Sequence, residues 1–492
     1  MSDSTLDTHH GVSVHFNSEE HQELRLERPL ESLKFRVLGL GFDEKLTTPA
    51  LGALCSVSGA LIHDEVAGKT AYVGPTSNFH LSSTCATRRP SIAGKITHYG
   101  FTEWLPTELE YLRSYWDHVH SHFPLFSSPA ELQQTAATNL LLKVSVLGVG
   151  AFFCLSDSGT ERQNQVNLEF SSRFTELSGG EIEHVCIPNI KSFLLRSYLA
   201  ILQGKLESAA VFLGIACNAA KLMGLHVHPA SLPDEPYMRQ TSDNIDRHTT
   251  FWACFFLDRR LAILQGRAVL MAACDVSVQS PVHNVERTLK ERNDVGVTAH
   301  DIYAYSFACP ASTEEAISAG NLRYVSWLTA LPASLRATNL PECPPSLVSL
   351  HLCYHSGMIL LHRPSLKQTS AERELANKHC LESASTITAL LKIYRERYSN
   401  SIADFMVIHA AFTAALVHLV LLDHPEVSSY HKTIRALRST INSLTWMIPK
   451  SEYAKEVYTD LKHFAMSWSI KPANSPMFWE SSLFLLEGKQ QA

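Results

Sequence analysis

The chain has 492 residues, of which 45% are hydrophobic and 18% charged, and its formal net charge is −6. This composition is typical of a folded protein rather than a disordered one, and the length predicts two or three packed units. A domain that binds nucleic acid by itself usually has more basic than acidic residues. The negative net charge therefore argues against DNA binding by the surface of the whole chain. A small basic module within it is still compatible with that charge.

The N-terminal residues 1–11 are polar and lack the apolar segment of a signal peptide, which favours the nucleus or the cytosol. The eleven cysteines form no C-x-x-C pair, and most lie in apolar stretches. We therefore expect buried free thiols in a reducing compartment, not a disulfide framework. Further along, Gly74 and Pro75 predict a turn. The hydroxyls of Thr76 and Ser77 can accept hydrogen bonds from the free backbone amides of that turn.

A helical pattern opens at residue 111 and should end at Pro124, with Tyr115 on the helix and Phe123 entering the core. After it, residues 127–190 predict a pair of helices with a polar insert at 156–167. The glycines of that region have no third glycine or following strand–helix unit, so a dinucleotide-binding fingerprint is not supported.

Three histidines in this opening segment, His118, His120 and His122, have the spacing H-x-H-x-H. On a strand the three imidazoles would share one face and suit zinc. A helix does not bring these positions together, and the surrounding pattern favours a helix. We therefore predict no metal site here.

Two helical blocks between residues 191 and 281 dominate the chain. The first breaks at Gly204 and ends at Gly224, where a left-handed cap is usual, and the second ends at Gly266. One apolar face is predicted for each block. The predicted faces are Phe212, Ile215, Ala216, Ala219 and Leu222 in the first block, and Trp252, Phe255, Phe256, Arg259 and Ile263 in the second.

Asp258 and Arg259 are charged residues within the aromatic second block. Buried charges need partners, so we expect each to pair with a residue on a neighbouring helix and to have a structural role. The chain has no G-x-S-x-G elbow, no phosphate-binding G-x-x-x-x-G-K-[ST] loop and no H-E-x-x-H motif. An enzyme is not indicated.

A proline-rich break at 340–345 predicts a joint between subdomains, and the helix that follows should stop at Pro364. Residues 405–422 form an uncharged apolar run at the lower limit for spanning a bilayer. The run contains His409 and His418 and lacks a basic anchor, so a buried helix is favoured over a membrane span.

These segments, in this order, resemble the middle homology region of fungal-specific transcription factors, a regulatory domain that usually accompanies a binuclear zinc-cluster DNA-binding domain. The resemblance covers about residues 70–425, and Ala268 replaces the family's proline. The residues that carry it, which we expect to be structural, are Tyr115, Phe123, Pro124, Gly224, Leu225, Arg247, Trp252, Asp258, Arg259, Gly266, Arg267, His362, Arg363 and Pro364. We predict no catalytic, cofactor-binding or metal-binding residue among them.

The fold that follows from the pattern and the resemblance is all-α, with packed antiparallel helices. We predict an N-terminal segment over 1–110 with the Gly-Pro turn and no zinc cluster. A middle homology regulatory domain should occupy 111–340, and a C-terminal helical subdomain should occupy 341–492.

The resemblance implies regulation of RNA polymerase II transcription in a fungal nucleus, fitting a metabolic or secondary-metabolite gene set. Its usual zinc cluster requires six closely spaced cysteines, but the first 85 residues hold only Cys55 and Cys85. We therefore expect no cofactor in this chain, and zinc only if an N-terminal cluster is missing from the sequence.

The expected partners are a related regulator, as a homo- or heterodimer, and the transcription machinery. DNA would be contacted indirectly or through a missing N-terminal domain, and no membrane is involved. A small-molecule effector is a further candidate, with Phe251, Trp252 and Phe255 as potential pocket liners, although core filling is the simpler role. Two alternatives stay open: a partner that modulates a zinc-cluster factor without binding DNA, and a helical small-molecule-binding protein or enzyme of unknown reaction.

Overall fold

The computed structural model describes a set of ranges that cover most of the chain after residue 103. The described residues are 60–64, 69–73, 104–120, 123–155, 160–227, 241–272, 276–278, 314–331, 345–367, 370–398, 403–423, 430–468, 470 and 478–479. Within these ranges the chain forms thirteen α-helices and one two-stranded hairpin. The predicted all-α class is confirmed, and the hairpin was not predicted.

The hairpin pairs β1 (Ala60–Asp64) with β2 (Lys69–Val73) in antiparallel register. A π-helical turn, Trp116–His120, follows α1, and 3-10 turns follow α9 (Arg363–Lys367) and α12 (Ile448–Lys450). The helices are α1 Pro106–Tyr115, α2 Pro129–Thr138, α3 Leu140–Cys154, α4 Thr160–Glu181, α5 Ile187–Leu202, α6 Leu206–Leu222, α7 Thr241–Gln265, α8 Glu314–Ala330, α9 Pro345–His362, α10 Ser370–Arg397, α11 Phe405–Asp423, α12 Tyr430–Met447 and α13 Glu452–Ser467.

Local capping chemistry sets several helix starts. The Ser128 hydroxyl accepts the Glu131 amide at 3.1 Å, and Pro129 occupies the first turn of α2. The Asn139 side chain accepts the Leu142 amide at 2.7 Å and starts α3 directly after α2 ends. Each cap satisfies an amide that has no partner inside its own helix, so these short polar residues mark the helix boundaries.

Three glycines end helices in the left-handed conformation, which the sequence predicts for Gly224. Gly204 has φ 75° after α5, Gly224 has φ 65° after α6, and Gly266 has φ 63° after α7. Residues with a Cβ are strained at such angles, so glycine makes these turns possible. The turn at Gly204 folds α6 back on α5, where the Ser197 hydroxyl donates to the Ala209 carbonyl at 2.8 Å.

One hydrophobic core runs through the described helices on both sides of residue 340. The Phe123 ring stacks on Tyr198 of α5 at 5.3 Å, and Tyr198 meets Phe405 of α11 edge-on at 5.9 Å. Residues 332–344, which include the predicted joint, lie outside the described residues. The division at 340 therefore stays a prediction.

The apolar run 405–422 is part of α11. It is the one helix in the described ranges that is long and apolar enough to cross a membrane. However, 72% of it is buried inside the protein, where α11 packs on α9, α10, α12 and α13. This is the environment of a core helix, as predicted from its composition.

Two local predictions need correction. The polar insert predicted at 156–167 is helical from Thr160 onward, where α4 begins. The buried face of α6 is also rotated from the predicted one. Leu222 is exposed, and only Ala216 of the predicted set is fully buried. The residues that fill the core from α6 are Ala209, Leu213, Ala216, Cys217 and Ala220.

The cysteines of the described ranges are free thiols, as expected. Cys217, Cys254, Cys353 and Cys380 are buried, whereas Cys154 and Cys186 are half-buried. Several sequence features fall outside the described residues, so their predictions stand as made. These are the polar N-terminus, the turn at 74–77, His122, and the cysteines Cys55, Cys85, Cys274, Cys309 and Cys343.

Candidate functional site

Arg247, on the first half of α7, holds the C-terminal end of α6 in place. Its guanidinium donates to the Met223 carbonyl at 3.0 Å and to the Gly224 carbonyl at 3.4 Å. The last carbonyls of a helix have no partner within the helix, and a cation there is also favoured by the helix dipole. Arg247 and the Gly224 turn, far apart in sequence, thus form one structural unit with the buried Leu225.

The same turn also receives the chain that returns after α7. The His226 carbonyl accepts the amide of Ser277 at 3.0 Å and that of Val278 at 3.3 Å. Residues 276–278 are thereby attached beside the end of α6. The α6 turn, α7 and the return segment consequently brace one another.

Asp258 is the centre of the return after α7. This carboxylate is fully buried and accepts the backbone amides of Leu270 at 2.8 Å and Met271 at 3.0 Å. It also contacts the guanidinium of Arg259 at 3.1 Å and that of Arg267 at 3.2 Å. Both of its oxygens are engaged, so the charge is compensated inside the protein.

The prediction that Asp258 and Arg259 pair with neighbouring helices is wrong. Their partners are each other and the segment just after α7, which Gly266 turns back on the helix. Arg259 also donates to the Met271 carbonyl and lies over the Phe255 ring at 3.4 Å. Burial lowers the pKa of the Arg259 guanidinium to about 10, although neighbouring Asp258 opposes that shift.

The aromatic part of α7 is core rather than pocket lining in this structure. Phe251 and Phe255 are buried and lie within 6.0 Å of each other. Trp252 meets both rings edge-on and donates its indole N–H to His248 at 3.2 Å. The predicted single face is also too narrow, since α7 is buried on nearly all sides between 250 and 263.

The opening motif forms a second cluster. Tyr115 is fully buried, meets Phe126 edge-on at 6.2 Å, and its pKa is raised by burial. Phe123 enters the core as predicted, and half-buried Pro124 follows it. The π-helical turn Trp116–His120 ends before Pro124, so the helix stops earlier than the proline itself.

The neighbouring histidines make aromatic contacts. His118 stacks on Phe153 at 5.5 Å, and His120 stacks on Trp116 at 3.8 Å. Burial lowers the pKa of both imidazoles. The part of the chain that the structure describes contains no cluster of three or more His, Cys, Asp or Glu side chains arranged for a metal ion.

The third motif cluster lies at the end of α9. Buried His362 contacts the Asn321 amide oxygen at 3.2 Å and stacks on His379 at 4.4 Å. Burial and the nearby His379 lower the pKa of His362 to about 4, so it is neutral at pH 7. Arg363 and Pro364, which follow it, are exposed.

Arg363 and Pro364 line a cavity of about 420 Å³ between the end of α9, α10 and α11. Most of the wall is apolar. Buried His409 of α11 also lines it, with no hydrogen-bond partner for its Nε2 within the described residues. This cavity was not predicted, because its wall is assembled from three helices separated in sequence.

The sequence reasoning also missed two buried charge clusters. Arg260 pairs with Asp404 at 3.3 Å, although 144 residues separate them. Lys191 of α5 is fully buried and bridges Asp246 of α7 and Glu131 of α2. In the sequence, Arg260 is the second arginine after Asp258, and Lys191 lies within the apolar pattern of α5. Both are unusual in apolar stretches, but neither position identifies the carboxylate that pairs with it.

Comparison with known proteins places these clusters in a family context. Residues 112–301 match the family model described as the fungal specific transcription factor domain. That range contains the opening cluster and the whole α6–α7 framework around Asp258. The cavity at the end of α9 lies beyond it.

The chain is also similar to curated fungal regulators. It is 26% identical over 279 residues to an uncharacterized transcriptional regulatory protein of Schizosaccharomyces pombe, covering 48% of this chain and 44% of that protein. It is 24% identical over 303 residues to the nitrogen assimilation transcription factor nirA of Emericella nidulans, covering 53% of this chain and 33% of nirA. The chain therefore covers less than half of either relative. No solved structure matches it.

Proposed function

We propose that this chain is a fungal transcriptional regulator of the family that carries the fungal specific transcription factor domain, and that it controls a metabolic gene set transcribed by RNA polymerase II. The observation that carries the proposal is that the range matching the family model, 112–301, contains the bonds around Asp258, here called the Asp258 framework. The motif residues around Asp258 brace α6, α7 and the return segment as one unit. A metabolic gene set is supported by the similarity to a nitrogen assimilation factor.

We place its site of action in the nucleus, with DNA contacted through another module. The net charge of −6 does not favour a DNA-binding surface over the whole chain. A zinc cluster needs closely spaced thiolates, and Cys55 and Cys85 are thirty positions apart. The DNA-reading module would be supplied by a related regulator in a homo- or heterodimer, or by a longer form of this protein.

The Asp258 framework supports a regulatory role rather than an enzymatic one. A general base needs a carboxylate that can reach a substrate proton. Both Asp258 oxygens are bonded to arginines or backbone amides, and the residue is fully buried. Its bonds hold the end of α7 instead, so we propose that these motif residues maintain the regulatory body.

The proposal can be tested by tethering the full chain to a reporter promoter through a heterologous DNA-binding module. Activation or repression of the reporter, relative to the module alone, is the expected result. Asp258→Asn should reduce the effect in proportion to the lost folded protein, whereas Lys392→Gln on the exposed surface should retain it. Unchanged reporter transcription by a stable nuclear wild-type fusion would overturn the regulatory role.

A second candidate is a partner chain that modulates a zinc-cluster factor without contacting DNA itself. The wide spacing of Cys55 and Cys85, together with the acidic total charge, favours this version. It is tested by purifying the tagged native protein and measuring its mass, its partners and its zinc. A zinc-containing relative in the complex supports this version, and zinc bound by the tagged protein itself contradicts it.

A further inference from the structure

The cavity at the end of α9 has the size of a small-molecule site. Its volume of about 420 Å³ lies within the roughly 300–1,000 Å³ typical of ligand pockets. α11 forms much of the wall, and the 3-10 turn after α9 and one side of α10 close it. The apolar lining includes Ile359, Leu366, Phe412, Leu416, Val417 and Leu421.

One buried histidine, His409, lies in this mostly apolar wall. The His409 side chain is 9% exposed, and its Nε2 has no hydrogen-bond partner within the described residues. Buried polar atoms in proteins are nearly always hydrogen-bonded, so such an atom on a cavity wall needs a specific reason. The Nε2 atom itself is fully buried, so this neutral imidazole is part of the wall and is not a group that contacts a ligand.

A positive charge also lines the cavity. Arg363 is exposed, so its guanidinium lies at the cavity mouth, and it forms no ion pair with a described carboxylate. Its charge is felt inside the cavity. Burial raises the pKa of the Cys380 thiol to about 11 and Arg363 opposes that shift, whereas for His409 the Arg363 charge adds to the lowering of the pKa by burial. Burial is the larger cause for His409, whose pKa falls to about 4, so this imidazole is neutral at pH 7.

We propose that this cavity binds a small apolar carboxylic acid. The carboxylate would bond to the Arg363 guanidinium at the mouth, and the apolar body would fill the space beside α11. One cation among neutral groups matches one carboxylate, and arginine binds carboxylates through two parallel N–H groups.

The same groups disfavour other ligand classes. A cationic amine would lie beside the unpaired Arg363 charge and be repelled. A neutral hydrocarbon would fill the cavity but leave Arg363 without a new partner. If the chain is a regulator, as proposed above, this cavity would be the site of its effector. The effector role rests on the proposed function, whereas binding of the carboxylate does not.

The test is calorimetric titration of the purified full chain with decanoate and 2-naphthoate, two carboxylates of different shape. Decanol and decylamine are the neutral and cationic comparisons. We expect at least one carboxylate to bind with a Kd below about 1 mM, and decylamine not to bind. Arg363→Gln should weaken carboxylate binding by about tenfold or more, while leaving decanol binding unchanged.

Two further variants make the test specific. Lys392→Gln removes an exposed charge from α10 that is not part of the cavity wall, and it should bind like the wild type. Val417→Phe should fill the cavity and abolish binding of both decanoate and decanol. Thermal melting of every variant establishes that it is folded before binding is compared.

Absence of binding by both carboxylates, or equal binding by Arg363→Gln, would overturn the ligand site. Promoter regulation is measured without added ligand in the tethered reporter. A lost binding signal with an active reporter would therefore remove the effector site and keep the regulatory function. An inactive reporter with intact binding would remove the function and keep the site.

Discussion

Arg260 and Asp404 form a buried ion pair in which Arg260 Nη1 lies 3.3 Å from the Asp404 carboxylate. Arg260 belongs to α7 within the family match, whereas Asp404 precedes α11, beyond that match. The Arg260 guanidinium also lies 5.6 Å from the Phe405 ring centre. The charged pair therefore joins the family domain to the C-terminal helices through the core.

A double-mutant cycle at this pair should reveal strong coupling. Arg260→Met or Asp404→Leu alone leaves an uncompensated buried charge, which costs about 3–5 kcal/mol. The double variant should be less destabilised than the two single variants summed, by at least about 1 kcal/mol. Urea unfolding measures all four free energies.

The exposed Lys392–Glu396 pair on α10 is the matched comparison, since its side chains are 60% and 56% exposed. Its cycle should give no measurable coupling, because solvent screens such pairs. Equal coupling at the two sites would contradict the role assigned to Arg260 and Asp404.

Asp258→Asn should strongly destabilise the protein. The amide oxygen can still accept the Leu270 or Met271 amide, but the negative charge between Arg259 and Arg267 is lost. Leaving the buried Arg259 guanidinium without its carboxylate should cost about 3–5 kcal/mol.

Thermal melting and urea unfolding of the purified variant measure this loss. Glu396→Gln, which removes a carboxylate from an exposed pair, should change stability by less than about 0.5 kcal/mol. An Asp258→Asn variant as stable as Glu396→Gln would show that the buried charge is not needed for the α7 return.

Two helical glycines should respond oppositely to alanine. A Cβ on Gly150 of α3 would lie 2.0 Å from the Tyr111 carbonyl oxygen of α1, so the two helices must separate. At Gly214 of α6, no atom beyond the neighbouring residues and backbone of the same helix lies within 4 Å of the added Cβ. We expect Gly150→Ala to lose several kcal/mol, on the order of 3.

Gly214→Ala should gain about 0.5–1 kcal/mol, because alanine has less conformational freedom to lose on forming a helix. Differential scanning calorimetry of the two variants beside the wild type tests both directions. A Gly150→Ala variant that melts with the wild type would mean that α1 does not approach α3 this closely.

Three buried histidines and the half-buried His355 should make the fold sensitive to mild acid. Burial lowers the pKa of His355, His362, His409 and His418 to about 4. Their unfolded-state pKa is about 6.5, so the unfolded chain binds protons first as the pH falls. The stability that these histidines contribute is therefore fully present above pH 6.5 and is lost as the pH falls from 6.5 to about 4. In that range the free energy of unfolding should fall by up to roughly 1.4 kcal/mol per pH unit for each histidine.

Urea unfolding at roughly pH 7.5, 6.5 and 5.5 measures how the free energy of unfolding changes with pH. His418 contacts the Thr388 hydroxyl at 2.9 Å, so His418→Gln can retain that bond without titrating. This variant should show a smaller slope than the wild type. Stability that stays constant over this range would contradict the neutral state assigned to the four imidazoles.

Local chemistry explains which parts of the fold could be predicted from sequence. Gly204, Gly224 and Gly266 each follow an apolar helical pattern, and all three adopt the left-handed turn. The apolar run of α11 contains two histidines and no basic anchor, which favours a core helix. These features depend on neighbours in sequence, so periodicity and cap residues reveal them.

The candidate sites were less predictable because their partners are distant or unexpected. Asp258 was recognised as a buried acid, but the turn at Gly266 that brings back Leu270 and Met271 was not connected with it. Periodicity reports which face is apolar, not which helix covers it. The partner of Arg260 and the cavity beside His409 therefore became evident only in three dimensions.

Genome-wide chromatin immunoprecipitation of the tagged chain tests regulation most directly. A protein–protein crosslinker should be included, because the proposed DNA contact can come from a partner. The account predicts enrichment at a set of promoters whose transcripts change when the chain is removed. An absence of promoter enrichment, together with unchanged transcripts after its removal, would contradict the central claim.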